Sequence, residues 1–401
     1  MNEAADSQPQ RPPTPALDEW TARGPVALIY SAHAGSVGGA HPQTLLERAG
    51  VAVSISLPVQ TLDFGEPLGQ RWRDAGCVAA VAAGGDGTVG AVATHIASVG
   101  LPLGILPMGT ANDIARAMNV PLGFDDAART IASGALHPID AGQVIPSRTA
   151  PHAAALQPAP SLATLDAALT DPAPAQPERG GFGGAYFLHA LTLGLNVEFA
   201  RLATDVEQRK RWGRLTYVAS AIESLERFHP IGVTLRFSGM AGAPEESVFV
   251  VQSETALLAA INLPVFGGRL GLRTPGVRTD DRLLDFILIE ALEAGSAGVA
   301  FESALHALTS ATQALWARRD ATPGEGTGQP PGEHPVQSPA GLALPGARWF
   351  RARAAEIETE RPVELTLDGE LRGRTPAVAR VAPRAIQIIT SANGARVVER
   401  A

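Results

Sequence analysis

Apolar residues along this chain follow two patterns, which predict two kinds of secondary structure. Between residues 26 and 145, short continuous apolar runs alternate with segments whose apolar residues recur every three or four positions. The runs are typical of parallel strands covered on both faces, and the periodic segments of the helices that connect them. Beyond residue 185, apolar and polar residues alternate instead, as in antiparallel strands. We therefore expect an α/β N-terminal domain with a parallel sheet, followed by an antiparallel β-rich C-terminal domain.

The same patterns predict where the individual strands and helices begin and end. In the N-terminal part we expect strands at 26–31, 51–57, 77–83 and from 103, and helices at 42–49, from 111, and at 125–133. In the C-terminal part we expect strands at 233–237, 247–252, 284–289 and 363–367. The last apolar segment, 385–389, is expected to return to the first domain.

Composition changes along the chain suggest domain boundaries. Residues 1–23 are polar and contain prolines, which predicts a disordered tail. We expect a nucleotide-binding domain over 24–145, completed by 377–401, and a β-rich substrate domain over 185–376. Stretches rich in Ala, Pro and Gly predict a flexible insertion at 146–184, with a short helix at 162–169, and another at 320–346.

A glycine-rich turn joins the predicted strand at 77–83 to a predicted helix. It reads Gly84-Gly85-Asp86-Gly87-Thr88. Such a turn lets backbone N–H groups approach an anion at a helix N-terminus, which suits phosphate binding. Asp86 would repel a phosphate unless a cation intervened, so it indicates metal-linked nucleotide chemistry. The alternative is an ordinary turn in which Thr88 merely enters the helix.

A second strand–glycine–helix unit follows at residues 103–118. Thr110, Asn112 and Asp113 come directly after Gly109, at the start of the helix. The carboxyl ends of neighbouring parallel strands share one edge of a sheet, so both polar turns are expected at one ligand-binding edge. Helix capping is the simpler alternative, and it explains one of these three residues well but not all three.

Three motifs carry a resemblance to a known family. GGDGT, LGILPMGTANDIAR at 103–116 and LDGE at 367–370 resemble the catalytic domain of the diacylglycerol kinase superfamily, and most of all its bacterial lipid kinases. Sphingosine and ceramide kinases share that domain. Similarity continues at 137–140, 193–196, 214–225 and 279–289, in the family's order. The resemblance implies a two-domain lipid kinase fold with an N-terminal domain like those of NAD kinases and phosphofructokinases. It also implies ATP and Mg²⁺ as cofactors and a diacylglycerol-like or long-chain lipid as substrate.

The resemblance also implies which residues bind the nucleotide. They are Gly84, Gly85, Asp86, Gly87, Thr88, Val89, Gly90, Gly109, Thr110, Asn112, Asp113, Gly35 and Thr61. Asp86 and Asp113 would orient Mg²⁺ and its waters. The family's first phosphate loop, Asn-Pro-x-x-Gly, is altered here to residues 31–36, which keep Gly35 and lose Asn-Pro. His33 in this loop is more readily explained as incidental than as catalytic.

The LDGE motif supplies the candidate base. Apolar and polar residues alternate from Val363 to Asp368, so Asp368 and Glu370 would share a polar face if the strand continued through Gly369. The alternative is a hairpin turn at Asp368-Gly369, which the residues alone favour. By the resemblance, Asp368 is the general base for the lipid hydroxyl and Glu370 its support.

A second metal site is implied near residue 280. In bacterial members of the family, an Asp carboxylate and flanking backbone carbonyls hold a Mg²⁺, and the corresponding residues are Arg278, Asp281 and Leu283. Oxygen ligands of this kind suit Mg²⁺. Arg282 stands where the family has glycine. Asp140 would link this metal to the catalytic aspartates through water, or would simply be an exposed residue at a strand end.

Composition narrows the remaining choices. The 401 residues carry a net charge of −8, which argues against nonspecific nucleic-acid binding. The single cysteine, Cys77, excludes an internal disulfide and suits a cytoplasmic protein. We find no signal sequence and no uncharged apolar run of about 18 residues. The only lysine is Lys210, which follows no glycine-rich turn and lies on no VAIK-like strand, and this argues against a Walker-type or protein-kinase-type site.

Contact with a membrane would be local and transient. Arg209, Lys210, Arg211 and Arg214 surround Trp212, a pattern that fits either anionic headgroups or a solvated start of a helix. The sequence leaves oligomeric state open, a homodimer included. Two other functions also stay open: an NAD kinase, and a non-catalytic protein that binds nucleotide or lipid.

Overall fold

The structure, a computed structural model, describes residues 18–31, 40–147, 184–194, 230–266, 272–273, 277–290, 333–337 and 343–391. Several expectations lie outside this part of the chain. They are Gly35 and His33 of the first loop, the helix at 162–169, the similarity at 195–196 and 214–225, and the basic patch around Trp212.

The helices of the described residues all belong to the first 132 positions. They are α1 Pro42–Arg48, α2 Leu68–Asp74, α3 Asp86–Ile96, α4 Asp113–Ala117 and α5 Phe124–Ala132, with one 3₁₀ turn at Val59–Thr61. None of these helices has the length and apolar character needed to cross a membrane.

The strands continue to the end of the described chain. They are β1 Asp18–Thr21, β2 Val26–Tyr30, β3 Val53–Pro58, β4 Ala79–Gly84, β5 Leu103–Pro107, β6 Ser133–Pro146, β7 Ala185–Phe187, β8 Ala190–Gly194, β9 Ile231–Met240, β10 Val248–Ile261, β11 Val265–Phe266, β12 Leu272–Arg273, β13 Leu284–Glu290, β14 Glu333–Gln337, β15 Ala343–Thr359, β16 Glu364–Leu367, β17 Glu370–Arg374 and β18 Ala377–Thr390.

The N-terminal part forms the expected parallel sheet. Strands β3, β2, β4 and β5 lie side by side in that order, each parallel to its neighbour. Every residue of β4 and β5 is buried, as expected for continuous apolar strands covered on both faces. The register pairs Gly84 with Pro107, so the glycine turns that follow β4 and β5 begin side by side at the carboxyl edge.

The C-terminal part is antiparallel and joins the same sheet. The order runs β17, β16, β8, β10, β13, β15 and β18, and β18 then pairs with β5. Only Ile388 of β18 pairs with Leu103 in the parallel direction, whereas β6 and β15 pair with β18 in the antiparallel direction. The last apolar segment therefore returns to the first domain as expected, and it connects the two kinds of sheet.

Two segments expected to be disordered or flexible contain strands. Asp18–Thr21 lies within the expected tail, but it pairs with β6, and Trp20 Nε1 donates to the Ile131 carbonyl over 2.8 Å. Within the expected insertion at 320–346, Glu333–Gln337 forms β14 and pairs with β15. Its Pro335 is tolerated because β14 pairs on one side only. Composition missed β1 because its pairing partner β6 is distant in sequence, and it missed β14 although β15 follows directly.

Replacing Ile388 tests whether β18 completes the first domain's core. Ile388 is fully buried beside Leu103 and Ile105, whereas Val250 of β10 is 57% exposed. We expect Ile388→Ala to lower the free energy of unfolding in urea by about 2–4 kcal/mol, because it leaves a cavity in a packed sheet. Val250→Ala, also a β-branched residue in a strand, should change it by about 0.5 kcal/mol or less. Equal effects would show that β18 does not pack in this core.

Candidate functional site

The two glycine turns at the carboxyl edge touch each other. A Cβ at Gly109 would collide with the Cα of Gly85, and the N–H of Met108 donates to the Gly84 carbonyl over 2.9 Å. Any side chain at position 109 would therefore force the turns apart. The expectation that both turns lie together is confirmed, and their glycines are required by this close approach.

Asp86 links the second turn to the first. Its Oδ2 accepts the N–H of Asp113 over 3.1 Å, and its Oδ1 accepts the N–H of Ile114 over 2.9 Å. These amides open helix α4, so Asp86 caps α4 from another helix. Asn112, in the left-handed conformation with φ 53°, does not cap the helix with its side chain and bonds to Gly109 instead. Local capping by residues 110–113 was the wrong alternative, because the cap comes from α3.

The glycines of helix α3 face the LDGE motif. A Cβ at Gly87 would lie 2.6 Å from Cγ of Glu370, and a Cβ at Gly90 would collide with Oδ2 of Asp368. Gly87 and Gly90 are one turn apart and lie on one face of the helix. Both carboxylates of the motif therefore pack against the helix that follows the GGDGT turn. Gly84 also leaves room for a side chain, because a Cβ there would collide with Thr88 Oγ1.

Asp368 forms part of a tight turn. The chain reverses at Asp368-Gly369, where φ is 49° and 86°, and Leu367 pairs with Glu370 across the hairpin. The expectation of one strand running through Gly369 is wrong, and the hairpin alternative is right. The turn still brings both carboxylates to α3.

Backbone amides hold the Asp368 carboxylate. Oδ1 accepts the N–H groups of His189 and Ala190 over 2.8 and 3.1 Å, and Oδ2 accepts that of Leu188 over 3.0 Å. Burial raises the pKa of Asp368, and the bonds from the three amides oppose that rise. Oδ2 accepts one amide only, so it keeps acceptor capacity. Sequence reasoning missed residues 188–190, because their contribution is backbone amides and no side-chain motif marks them.

The other nucleotide-binding candidates differ in exposure. Thr88, Val89 and Gly90 are buried in α3, whereas Thr110 and Thr61 are exposed. The Thr61 hydroxyl donates to the Pro58 carbonyl over 2.7 Å within the 3₁₀ turn after β3. Strands β3 and β4 both run parallel to β2, which lies between them. Thr61 follows β3 and the GGDGT turn follows β4, so both lie at the same edge of the sheet.

Asp140 is a structural anchor rather than an exposed strand end. It is 1% exposed, and its two oxygens accept the N–H groups of Arg282 and Arg384 over 2.7 and 2.8 Å. Both of these residues have positive φ, 61° and 50°. Asp140 thus holds two strained turns of the C-terminal part against β6, and the exposed-residue alternative is wrong.

The residues near Asp281 do not fit a divalent cation. Oδ2 of Asp281 forms an ion pair with Arg351, and Oδ1 accepts the N–H of Leu283 over 3.1 Å. Arg351 also donates over 3.1 Å to Asp285, a fully buried residue whose pKa burial raises to about 7. A guanidinium is therefore already paired with the one carboxylate of the implied Mg²⁺ site.

The chain resembles known lipid kinases in sequence. Residues 26–144 match the diacylglycerol kinase catalytic domain. A Stenotrophomonas maltophilia (strain K279a) protein named "Probable lipid kinase YegS-like" is 31% identical over 303 residues, which cover 74% of this chain and 74% of that protein. A protein of the same name from Xanthomonas oryzae pv. oryzae (strain MAFF 311018) is 30% identical over 254 residues, which cover 62% of this chain and 67% of that one.

The fold also resembles solved structures. A diacylglycerol kinase from Bacillus anthracis str. Sterne aligns with a TM-score of 0.50 at 15% identity, covering 92% of this chain and 98% of that one. A second structure from the same strain aligns with a TM-score of 0.54 at 18% identity, covering 96% and 99%. At these identities the structures show a shared fold.

Alanine at each helical glycine tests the packing of the carboxylates on α3. At Gly90 a methyl group would displace Asp368, which three amides hold in place, so we expect Gly90→Ala to destabilise the protein by about 1–3 kcal/mol. At Gly87 the exposed Glu370 side chain can rotate away, and alanine is the better helix former by about 1 kcal/mol. Gly87→Ala should therefore unfold at or above the wild-type temperature. Calorimetric melting would contradict this packing if Gly90→Ala were the more stable variant.

Magnesium titration tests the environment of Asp281. Because Arg351 already neutralises this carboxylate, we expect Mg²⁺ to change the melting temperature of the wild type and of Asp281→Asn by the same amount. Asp280→Asn serves as the control, since Asp280 is an exposed neighbour paired with Arg278. A magnesium-dependent shift that disappears only in Asp281→Asn would restore the metal site.

Proposed function

This chain belongs to the diacylglycerol kinase catalytic-domain superfamily and is a lipid kinase, and from that premise we propose that it transfers the γ-phosphate of ATP to the hydroxyl of a diacylglycerol-like or long-chain lipid. One observation carries the proposal. The carboxylates of Asp368 and Glu370 pack on Gly90 and Gly87, on the helix whose first turn is the candidate phosphate site. A base for the acceptor and a cradle for the donor therefore lie within one helical turn of each other.

The donor end of the site is the N-terminus of α3. Thr88 and Val89 donate to the Gly85 carbonyl over 2.9 and 3.1 Å, whereas the N–H groups of Asp86 and Gly87 have no acceptor among the described residues. Amides at the start of an eleven-residue helix suit a phosphate, because they carry the positive end of the helix dipole. The absence of a positioned lysine is compatible with this arrangement.

The oxygen donors beside this turn fit a hydrated Mg²⁺. Each oxygen of Asp86 accepts one amide, and an ionised carboxylate has about four acceptor positions, so capacity remains for metal-bound water. Asp113 lies directly beside it. In this proposal Asp86 and Asp113 would hold the ion through water, and Mg²⁺ when bound would neutralise phosphate charge during transfer.

At the acceptor end, Asp368 takes the proton. The lipid hydroxyl gives its proton to Oδ2 of Asp368 as its oxygen bonds to the γ-phosphorus, and the bond from that phosphorus to the bridging oxygen breaks. The products are a lipid phosphate and ADP. Burial raises the pKa of Asp368, which makes the carboxylate a stronger proton acceptor. Glu370, exposed beside Gly87, supports the hydroxyl from the other side of the turn.

Asparagine at position 368 tests the base. We expect Asp368→Asn to lower kcat for lipid phosphorylation roughly 100-fold or more, because the proton loses its acceptor. The assay follows transfer from labelled ATP to a lipid panel in detergent and in anionic vesicles. Asp126→Asn, an exposed aspartate on α5 paired with Arg129, should keep full activity.

The outcomes separate the alternatives. Because Asp368 also orders three amides, each variant's rate is expressed per folded molecule, measured by ATP binding and thermal melting. Full activity of Asp368→Asn would contradict its role as base. Turnover of NAD to NADP by the wild type would indicate an NAD kinase, and ATP binding without transfer to any lipid would indicate a non-catalytic protein.

A further inference from the structure

Arg372 of β17 is a partly buried cation without an oxygen partner. Among the described residues, no hydrogen bond or ion pair engages its guanidinium. The other half-buried arginines of the described chain all have an oxygen partner. These are Arg116 with Ala111, Arg236 with Glu358, Arg348 with Glu290, Arg351 with Asp281 and Asp285, and Arg380 with Gln143. Arg372 thus departs from the rule that buried charges are paired.

Aromatic rings hold the Arg372 side chain. Its Cζ lies 4.4 Å from the centre of the Phe64 ring, and Phe64 in turn stacks on His95 of α3 at 5.0 Å and 15°. Trp72 of α2 packs against the edge of His95 at 5.8 Å. His95 stays neutral, because burial and then the charge of Arg372 lower its pKa to about 4, with Asp63 opposing. A neutral stack orients the guanidinium without neutralising it.

Arg372 connects a residue that packs on the first turn of α3 with an aromatic stack on the last turn of that helix. Glu370 and Arg372 are two residues apart on β17 and share a face of the strand. Glu370 packs on Gly87 in the first turn of α3, while Phe64 follows the candidate nucleotide residue Thr61 by three positions. Arg372 therefore lies alongside α3, between Glu370 at the first turn of the helix and His95 in its last turn.

The side chain of Arg372 has the charge and the shape to bind a phosphate group. Burial lowers the pKa of Arg372, and the negative charges of Glu370 and Asp368 oppose this, so the side chain remains a cation. A planar guanidinium can donate two parallel hydrogen bonds to phosphate oxygens. With one lysine in the whole chain, at position 210, an arginine is the available residue for such a contact.

We propose that Arg372, oriented by Phe64, binds phosphate oxygens of the nucleotide donor and is a specificity-determining residue for its β- and γ-phosphates. This inference rests on the proposed function. The guanidinium is kept for a ligand, and the ligand supplies the oxygen partners that the described residues do not. A preorganised cation of this kind would also stabilise the charge that develops on the transferred group.

Nucleotide binding by Arg372→Gln tests the inference. Titration calorimetry with ATP, ADP and AMP should show affinity for ATP and ADP reduced by about 10-fold or more, and affinity for AMP changed by less than about 2-fold, because the charge-assisted bonds reach the outer phosphates. Arg374→Gln is the matched control on the same strand, since Arg374 is exposed and paired with Glu364. It should match the wild type with all three nucleotides.

Two further variants separate contact from structure. Arg372→Lys keeps the charge but loses the planar guanidinium, and with it the paired hydrogen bonds and the contact with the Phe64 ring. It should therefore recover only part of the ATP affinity. Phe64→Leu keeps the guanidinium and loses its ring, and its ATP affinity should fall between those of the wild type and Arg372→Gln. The melting temperature of Arg372→Gln should stay close to that of the wild type, since among the described residues only the contact with the Phe64 ring is lost.

Each outcome decides the inference. Equal ATP affinity for Arg372→Gln and Arg374→Gln overturns it, as does a wild type that binds no adenine nucleotide. Loss of binding to anionic vesicles with ATP affinity intact also overturns it and assigns Arg372 to a lipid headgroup. A wild type that phosphorylates no lipid but loses ATP affinity through Arg372→Gln refutes the proposed function and supports the nucleotide contact.

Discussion

The structure depends on the close approach of the β16–β17 turn to helix α3. The turn belongs to the antiparallel part of the sheet and the helix to the parallel part, so the contact lies where these two parts, which β18 joins, meet. Gly90 makes it possible, because a methyl group there would collide with the Asp368 carboxylate, whereas at Gly87 the exposed Glu370 side chain can rotate away. Asp368 fixes the other side by accepting three consecutive amides. The candidate chemistry is thus located where the two parts of the molecule touch.

The sequence predicts much of this fold, because its main signals are local. Continuous apolar runs identified β4 and β5, and helical spacing identified α3, since burial on both faces and amphipathicity are recorded within a few residues. The sequence did not reveal why the glycines are needed. The turn motif suggested that they let a phosphate approach, whereas the structure shows that Gly84, Gly87 and Gly90 make room for side chains and that Gly109 lets two turns touch. The two explanations are compatible, and only the second requires knowing partners that are distant in sequence.

The roles of the aspartates were even harder to predict from the sequence. The sequence could mark Asp86, Asp140, Asp281 and Asp368 as carboxylates near motifs, but their roles depend on what reaches them across the fold. Asp86 and Asp140 accept backbone amides from other elements, and Asp281 meets a guanidinium. A carboxylate that accepts amides keeps its charge and some acceptor capacity, whereas one paired with arginine has lost its attraction for a cation. The same side chain is therefore a candidate metal residue beside α4 and not beside Arg351.

This distinction bears on how the proposed site, with so few cations, would bind a triphosphate. A kinase must offset several negative charges, and a chain with one lysine has to do so with amides, a metal or arginine. Three of the half-buried arginines in the described residues already pair with carboxylates, as Arg351 does with Asp281 and Asp285. Arg372 is held by a ring in place of an acid, so its positive charge remains available beside two carboxylates that would otherwise repel the donor. Pairing Arg372 with an acid would strengthen the hairpin but offset the charge that, in our proposal, binds the donor phosphates.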